Sequence, residues 1–126
     1  MTPPMADRVR SMLVSAGLTA GFTCQSFFWD DSGNKAEAFM VFKPASGGIL
    51  RQDEGGTYMV QLDVIGAINK DRDTHTAAMR IIDYVQDHPI ADTCIGYIES
   101  YGMPQPMLTA EGRAVFPLRF RCVYGE

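Results

Sequence analysis

At 126 residues, with 46% hydrophobic and 21% charged side chains, the chain has the makings of one globular domain with a modest core, and its composition excludes disorder throughout. Fifteen carboxylates against 11 Lys and Arg give a formal charge of −4, the wrong sign for a protein that lives on DNA or RNA. No apolar run approaches the ~20 residues needed to cross a bilayer, so no membrane role is expected.

Pro3 and Pro4 sit where a helix begins, because proline lacks an N–H that is unsatisfied there anyway. Met5, Val9, Met12, Leu13 and Ala16 then recur at helical spacing, and Gly17 supplies the stop. Gly21 to Trp29 is rich in aromatics and Thr, Asp30 to Lys35 is a dense turn cluster, and Ala36 to Phe42 resumes β composition. The economical reading is a hairpin of two strands.

Lys43 to Gly56 holds four glycines and a proline, and reads as a long flexible loop or protruding arm. Thr57 to Ile65 alternates as a strand, with Tyr58, Val60, Leu62 and Val64 on one face and Gln61 and Asp63 on the other. Asp71 to Asp73 precedes a second helix, which Asp73 or Thr74 can cap. Its stripe is Ala78, Ile81, Ile82 and Val85, and Pro89 lies just beyond.

Thr93 to Ile98 reads as a short strand, and Tyr101 to Gly112 as a proline-glycine connection. Arg113 to Tyr124 alternates strictly, with Ala114, Phe116, Leu118, Phe120, Cys122 and Tyr124 opposite Arg119 and Arg121. Pro117 within it marks an edge position or a bulge. Two α-helices beside an antiparallel or mixed sheet make a single α+β domain over residues 1–126, with the flexible loop at about 43–56.

Chemistry-bearing residues are sparse. His75 and His88 stand at opposite ends of the second helix, roughly 20 Å apart, too far to share one metal. Asp71 and Asp73 have the Asp-x-Asp spacing of paired ligands, yet helix starts attract Asp for dipole and capping reasons. Cys24, Cys94 and Cys122 form no CxxC pair and suit a reducing compartment, as small buried hydrophobes. No serine elbow and no phosphate-binding loop is present, so no catalytic residue, metal or cofactor is expected. Met1 to Arg10 lacks the layout of a signal peptide, which points to the cytoplasm or a particle assembled there.

The glycine-rich segment shifts the reading toward assembly. Ordering residues 44–56 costs ~1 kcal/mol each in backbone entropy, whereas burying Ile49 and Leu50 returns only ~3–6 kcal/mol. A partner surface would make up the difference, so Ile49, Leu50 and Arg51 are candidate interface residues. The alternative is an inert solvated loop. Arg113, Arg119 and Arg121 form a basic group near the C-terminus that suits a subunit contact or a phosphate contact.

An N-terminal amphipathic helix, a glycine-rich loop before the strand Thr57–Ile65, a helix ended by His88-Pro89, and the final strand Phe116-Pro-Leu-Arg-Phe-Arg-Cys-Val-Tyr124 stand in that order. In this layout the chain resembles the tail terminator proteins of long-tailed bacteriophages, the lambda-type minor tail protein U group and its prophage-encoded relatives. That resemblance implies a structural subunit without catalytic residues. It would form a ring with itself, a hexamer, that caps the tail tube protein and meets the head-tail connector proteins. It would be found in the bacterial host cytoplasm during assembly and in the virion tail. Mapped by position, the implied contacts are Ile49 and Leu50 in the loop and Arg119 and Arg121 in the last strand. Two other readings stay open: a ligand-binding module using the sheet face and its tyrosines, and an enzyme built on Asp71, Asp73 and His75.

Overall fold

The chain enters its first helix, α1 (Met5–Ser15), through Pro4, whose carbonyl accepts the N–H of Arg8 at 3.1 Å. The computed structural model describes residues 4–45, 50–51, 55–92 and 95–124. Met5, Val9 and Leu13 are the buried stripe of α1, and Gly17, at φ +76°, takes the left-handed conformation that ends it.

Among the described residues eight strands follow: β1 (Phe22–Ser26), β2 (Ala38–Pro44), β3 (Leu50–Arg51), β4 (Gly55–Ile65), β5 (Ile90–Asp92), β6 (Gly96–Ser100), β7 (Met107–Leu108) and β8 (Ala114–Tyr124). The second helix, α2 (Asp71–Asp87), lies between β4 and β5 in sequence. The sheet runs β1-β2-β4-β8-β6-β5, with β3 added to β4 and β7 to β8. The fold is α+β with a mixed sheet, as the sequence leads one to expect.

Both helices lie on one face. Met40 and Phe42 of β2, Val60, Leu62 and Val64 of β4, Ile98 of β6, and Phe116, Leu118, Phe120 and Cys122 of β8 point toward them. They meet Val9 and Leu13 of α1 and Ala78, Ile81 and Val85 of α2 in the main core. Burial pushes the Cys122 thiol up to about 12, so it stays neutral and behaves as a small apolar side chain.

Four local readings change. First, β1 and β2 do not form a hairpin: they run parallel, Phe22 opposite Ala38 through Ser26 opposite Phe42. The turn cluster is therefore part of a crossover over residues 27–37 that carries the chain back before β2 begins. Second, α2 has no side-chain N-cap. Lys70 occupies the cap position, and the Thr74 hydroxyl donates to the Lys70 carbonyl at 2.7 Å.

Third, the glycine-rich loop is shorter than its composition suggests. β2 runs to Pro44, and Leu50 and Arg51 pair with Gly56 and Gly55 as a short antiparallel ladder. Residues 46–49 and 52–54 lie outside the described residues. Fourth, the strand read at Thr93 begins at Gly96, whose φ of +78° and close approach to the Val123 carbonyl suit only glycine.

Pro117 is not in an edge strand, since β8 lies between β4 and β6. The Arg119 carbonyl accepts from Tyr101 N–H, and the Arg113 carbonyl from Thr109 N–H, so odd-numbered residues of β8 direct their backbone groups away from β4. On that side β7 pairs with residues 114–115 and β6 with residues 120–123, leaving Pro117 between them. Its missing N–H falls in the gap, an edge by geometry inside a central strand.

Gly66, just past β4, lies hard against Thr74 of α2. A Cβ there would lie 1.9 Å from Thr74 Oγ1 and 3.0 Å from Thr74 Cβ, so rotating the threonine cannot relieve the clash. Gly66→Ala should therefore lower unfolding free energy by ~1–3 kcal/mol, the usual cost of overpacking, in a urea titration followed by circular dichroism.

Candidate functional site

The face of the sheet away from the helices is the remaining surface, and it divides into three zones. At one end Phe39, Val41 and Ile65 form a second buried cluster, covered by Trp29 and Val115. Trp29 meets Phe39 edge-on, with ring centroids 5.7 Å apart. The crossover over residues 27–37 forms this cover, and its own side chains hold it in shape. The Gln25 amide donates to the Asp30 carbonyl at 2.8 Å and accepts Asp30 N–H at 2.9 Å. Asp31 accepts Gly33 N–H and Asn34 accepts Ala36 N–H, each at 3.0 Å, the usual Asx turns.

Arg113 locks this cover to the body. Its side chain is fully buried, and it donates to the carbonyls of Glu37 at 2.6 Å, Asn34 at 2.8 Å and Gly66 at 3.1 Å. The Asp31 and Glu111 carboxylates stand 3.8 and 3.4 Å from its guanidinium, which also lies over the Trp29 and Phe39 rings. A buried cation is tolerated only with such compensation.

Arg113 is therefore no part of an exposed basic group. Six residues of strand, roughly 20 Å, separate it from Arg119. Periodicity could not reveal this, because the carbonyls it serves come from residues 47 to 79 positions away.

The middle zone is polar. Lys43 Nζ lies 2.7 Å from Asp63 Oδ2, and Gln61 donates to Asp63 Oδ1 at 2.8 Å. Across β8, the Arg119 guanidinium lies over the Tyr101 ring at 5.9 Å, and Arg121 Nε is 2.8 Å from Glu99 Oε1. Arg119 pairs with Gln61 and Arg121 with Met59, so these two arginines do share the open face. Leu50 and Arg51 are one strand away, on the other side of β4, some four positions or ~13 Å along it from Arg121. Ile49 lies outside the described residues.

The third zone is an exposed apolar row at the β5 end: Ile90, Tyr97 and Val123, opposite one another in register. At the other edge of the sheet Phe27 and Phe28 are exposed just past β1. Sequence reading missed both groups, since their side chains look like ordinary strand hydrophobes.

The remaining chemistry-bearing side chains have structural settings. His75 stands 5.5 Å from the Phe116 ring; His88 stacks on Tyr84 at 4.1 Å, and its Nδ1 donates to the Tyr84 carbonyl at 2.9 Å. Asp71 and Asp73 lie in the first turn of α2. Among the described residues no group of three His, Cys, Asp or Glu is placed to hold a metal, and no helix is long and apolar enough to cross a membrane. An apolar recess of about 180 Å³ opens between Pro4, Met5 and Ala6 of the N-terminal segment and Phe27, Phe42 and Pro44. Metabolite pockets are commonly ~300–1,000 Å³.

A two-layer α+β domain that covers one sheet face with helices and leaves the other partly open is suited to contact between macromolecules. The sequence matches the family described as phage tail termination protein over residues 2–126, and the chain belongs to that family. It is thus a structural protein of phage tails, as its layout suggested. Comparison with curated proteins gives no match.

Replacing Arg113 with Met should cost on the order of 3 kcal/mol or more, because the carbonyls of residues 34, 37 and 66 lose their donor. The fluorescence of Trp29, the one tryptophan, should shift to the red as the crossover detaches, which the emission maximum recorded through a urea titration would follow.

The crossover also titrates. The hydroxyls of Ser32 and Thr23 hold Glu37 below its ordinary 4.5, and the Gly33 N–H is foremost in holding Asp31 below 3.8. Depressed carboxylates stabilise the folded state above their unfolded values and lose that contribution as pH falls through the folded ones. Stability should therefore decline below about pH 4.5, and Glu37→Gln should flatten part of the decline in thermal melts across pH 3–6.

Proposed function

We propose that the protein acts as a tail terminator by forming a homo-oligomeric ring, a hexamer, that caps the finished tail tube and supplies the seat for the head-tail connector proteins. Membership of the tail termination family over nearly the whole chain carries this reading. A terminator has to bind the tube end and refuse a further layer, and a closed ring with two unlike faces does both. The partners are copies of itself, the tail tube protein and the head side of the junction. Assembly takes place in the bacterial host cytoplasm, and the product stays in the virion tail.

The polar middle zone of the open sheet face is the surface assigned to the tube. Arg119 and Arg121 stand half-buried on it beside Glu99 and Tyr101, a mixture of charge and aromatic surface characteristic of specific contacts. The segment at about 43–56, with Ile49, Leu50 and Arg51, serves as a contact arm whose shape a partner completes. The β3–β4 ladder would be its anchor to the body. No catalysis is involved: the mechanism is steric, set by which surfaces remain open after the ring closes.

Native mass spectrometry should find a ring that grows with concentration, or on addition of tail tube protein. A monomer under both conditions would remove the proposal. Exchanging both Arg119 and Arg121 for Glu should abolish capture of tail tubes while changing folding stability by about 1 kcal/mol or less, since the Arg121–Glu99 pair is half exposed.

A further inference from the structure

The two edges of the sheet carry unlike apolar features. At the β1 edge, Phe27 has φ +72°, its N–H donates to the Phe42 carbonyl at 2.8 Å, and Phe28 N–H donates to the Ser26 carbonyl at 2.9 Å. This is a γ-turn of the positive-φ kind, rare and strained, centred on a bulky residue. Its effect is to turn two aromatic rings outward: Phe27 is 54% and Phe28 85% exposed. Phe27 also walls the apolar recess beside α1. Isolated exposed hydrophobes need no explanation, but a strained backbone that displays two adjacent phenyl rings does.

At the opposite edge, Ile90, Tyr97 and Val123 are direct cross-strand neighbours on the open face, 81%, 41% and 39% exposed. The row is contiguous and ends at the outermost strand. The surroundings of the two edges differ in charge. Asp30 and Asp31 follow Phe28 after Trp29, in a crossover that bears Asp30, Asp31 and Glu37 against Lys35 and the buried Arg113. Arg121 and Arg119 stand at the next alternate positions from Val123 along β8, with Glu99 the acid between the strands.

We infer that the Phe27–Phe28 turn of one copy docks on the Ile90–Tyr97–Val123 row of a second copy of this chain. The inference rests on the ring reading and names the self-contact within it. The two patches lie on opposite edges of one sheet, so each copy offers a knob on one side and a seat on the other. Such a contact is heterologous, and heterologous contacts continue until a ring closes; a patch that met its own kind would stop at a dimer. Acidic residues beside the knob and arginines beside the seat favour that pairing over knob on knob.

The experiment uses native mass spectrometry of the purified full chain and of the variants Phe28→Glu and Ile90→Glu, alone and mixed in equal amounts, with melting curves to verify folding. The wild type is expected to form rings. Each variant alone should stay monomeric at the same concentration, its self-association weakened at least about tenfold, as loss of a central anchor would give. The mixture should form dimers and stop, because the intact seat of Phe28→Glu meets the intact knob of Ile90→Glu and the two spoiled edges face outward. Rings of undiminished stability from either variant would overturn this contact while leaving the ring reading intact. So would folded variants that fail to dimerise on mixing. A wild type that stays monomeric, with or without tail tube protein, would instead remove the ring reading itself.

Discussion

The buried guanidinium of Arg113 is the constraint on which the open side of this molecule depends. It binds three main-chain carbonyls from two distant segments and, with the Lys35 carbonyl that accepts Ile68 N–H at 3.0 Å, ties the crossover over residues 27–37 to the rest of the chain. That crossover roofs the second apolar cluster and sets where β2 starts, which fixes the parallel register of β1. Replacing a buried ion pair wholesale by apolar groups is often neutral, but removing one member strands the others. Here the stranded members would be carbonyls, which have no second state to adopt.

The two sheet faces solve different problems. The helix-covered face is a conventional core in which alternation along β4 and β8 supplies one apolar side chain per two residues. The other face is apolar where the crossover covers it, polar around Asp63 and Arg119, and apolar again at the β5 edge. A surface that reverts to apolar at its margin after a polar middle has more to do with neighbours than with solvent. Membership of the phage tail termination family gives that margin a natural use.

Much of this fold was legible in the sequence, because it follows from local periodicity. The stripes of α1 and α2, the alternation of Thr57–Ile65 and Ala114–Cys122, and the α+β class all come from spacing alone. What escaped was non-local. Turn-rich residues 30–35 read as a hairpin because Asp, Ser, Gly and Asn favour tight turns. Their role is instead decided by Gln25 and by Arg113, the latter 79 positions from Asn34. Arg113 itself read as surface charge, since nothing adjacent to it signals burial. Pro117 read as an edge position or a bulge, and lies instead in a central strand, facing the gap between β7 and β6. Of the candidate contact residues, Arg119 and Arg121 fall on one open face, and Leu50 and Arg51 are laddered to β4.

The central place of β8 bears on how the chain is made. Every other described strand leaves the ribosome before it, yet β4 on one flank and β6 on the other meet only through β8. Until it emerges, the nascent polypeptide holds two partial sheets with a vacant slot between them and apolar walls on both sides. Zipping the slot shut joins segments far apart in sequence, a slow step by the rule that distant contacts cost loop entropy first. Biogenesis of this domain is therefore a late, all-at-once event, during which a host chaperone has the most surface to guard.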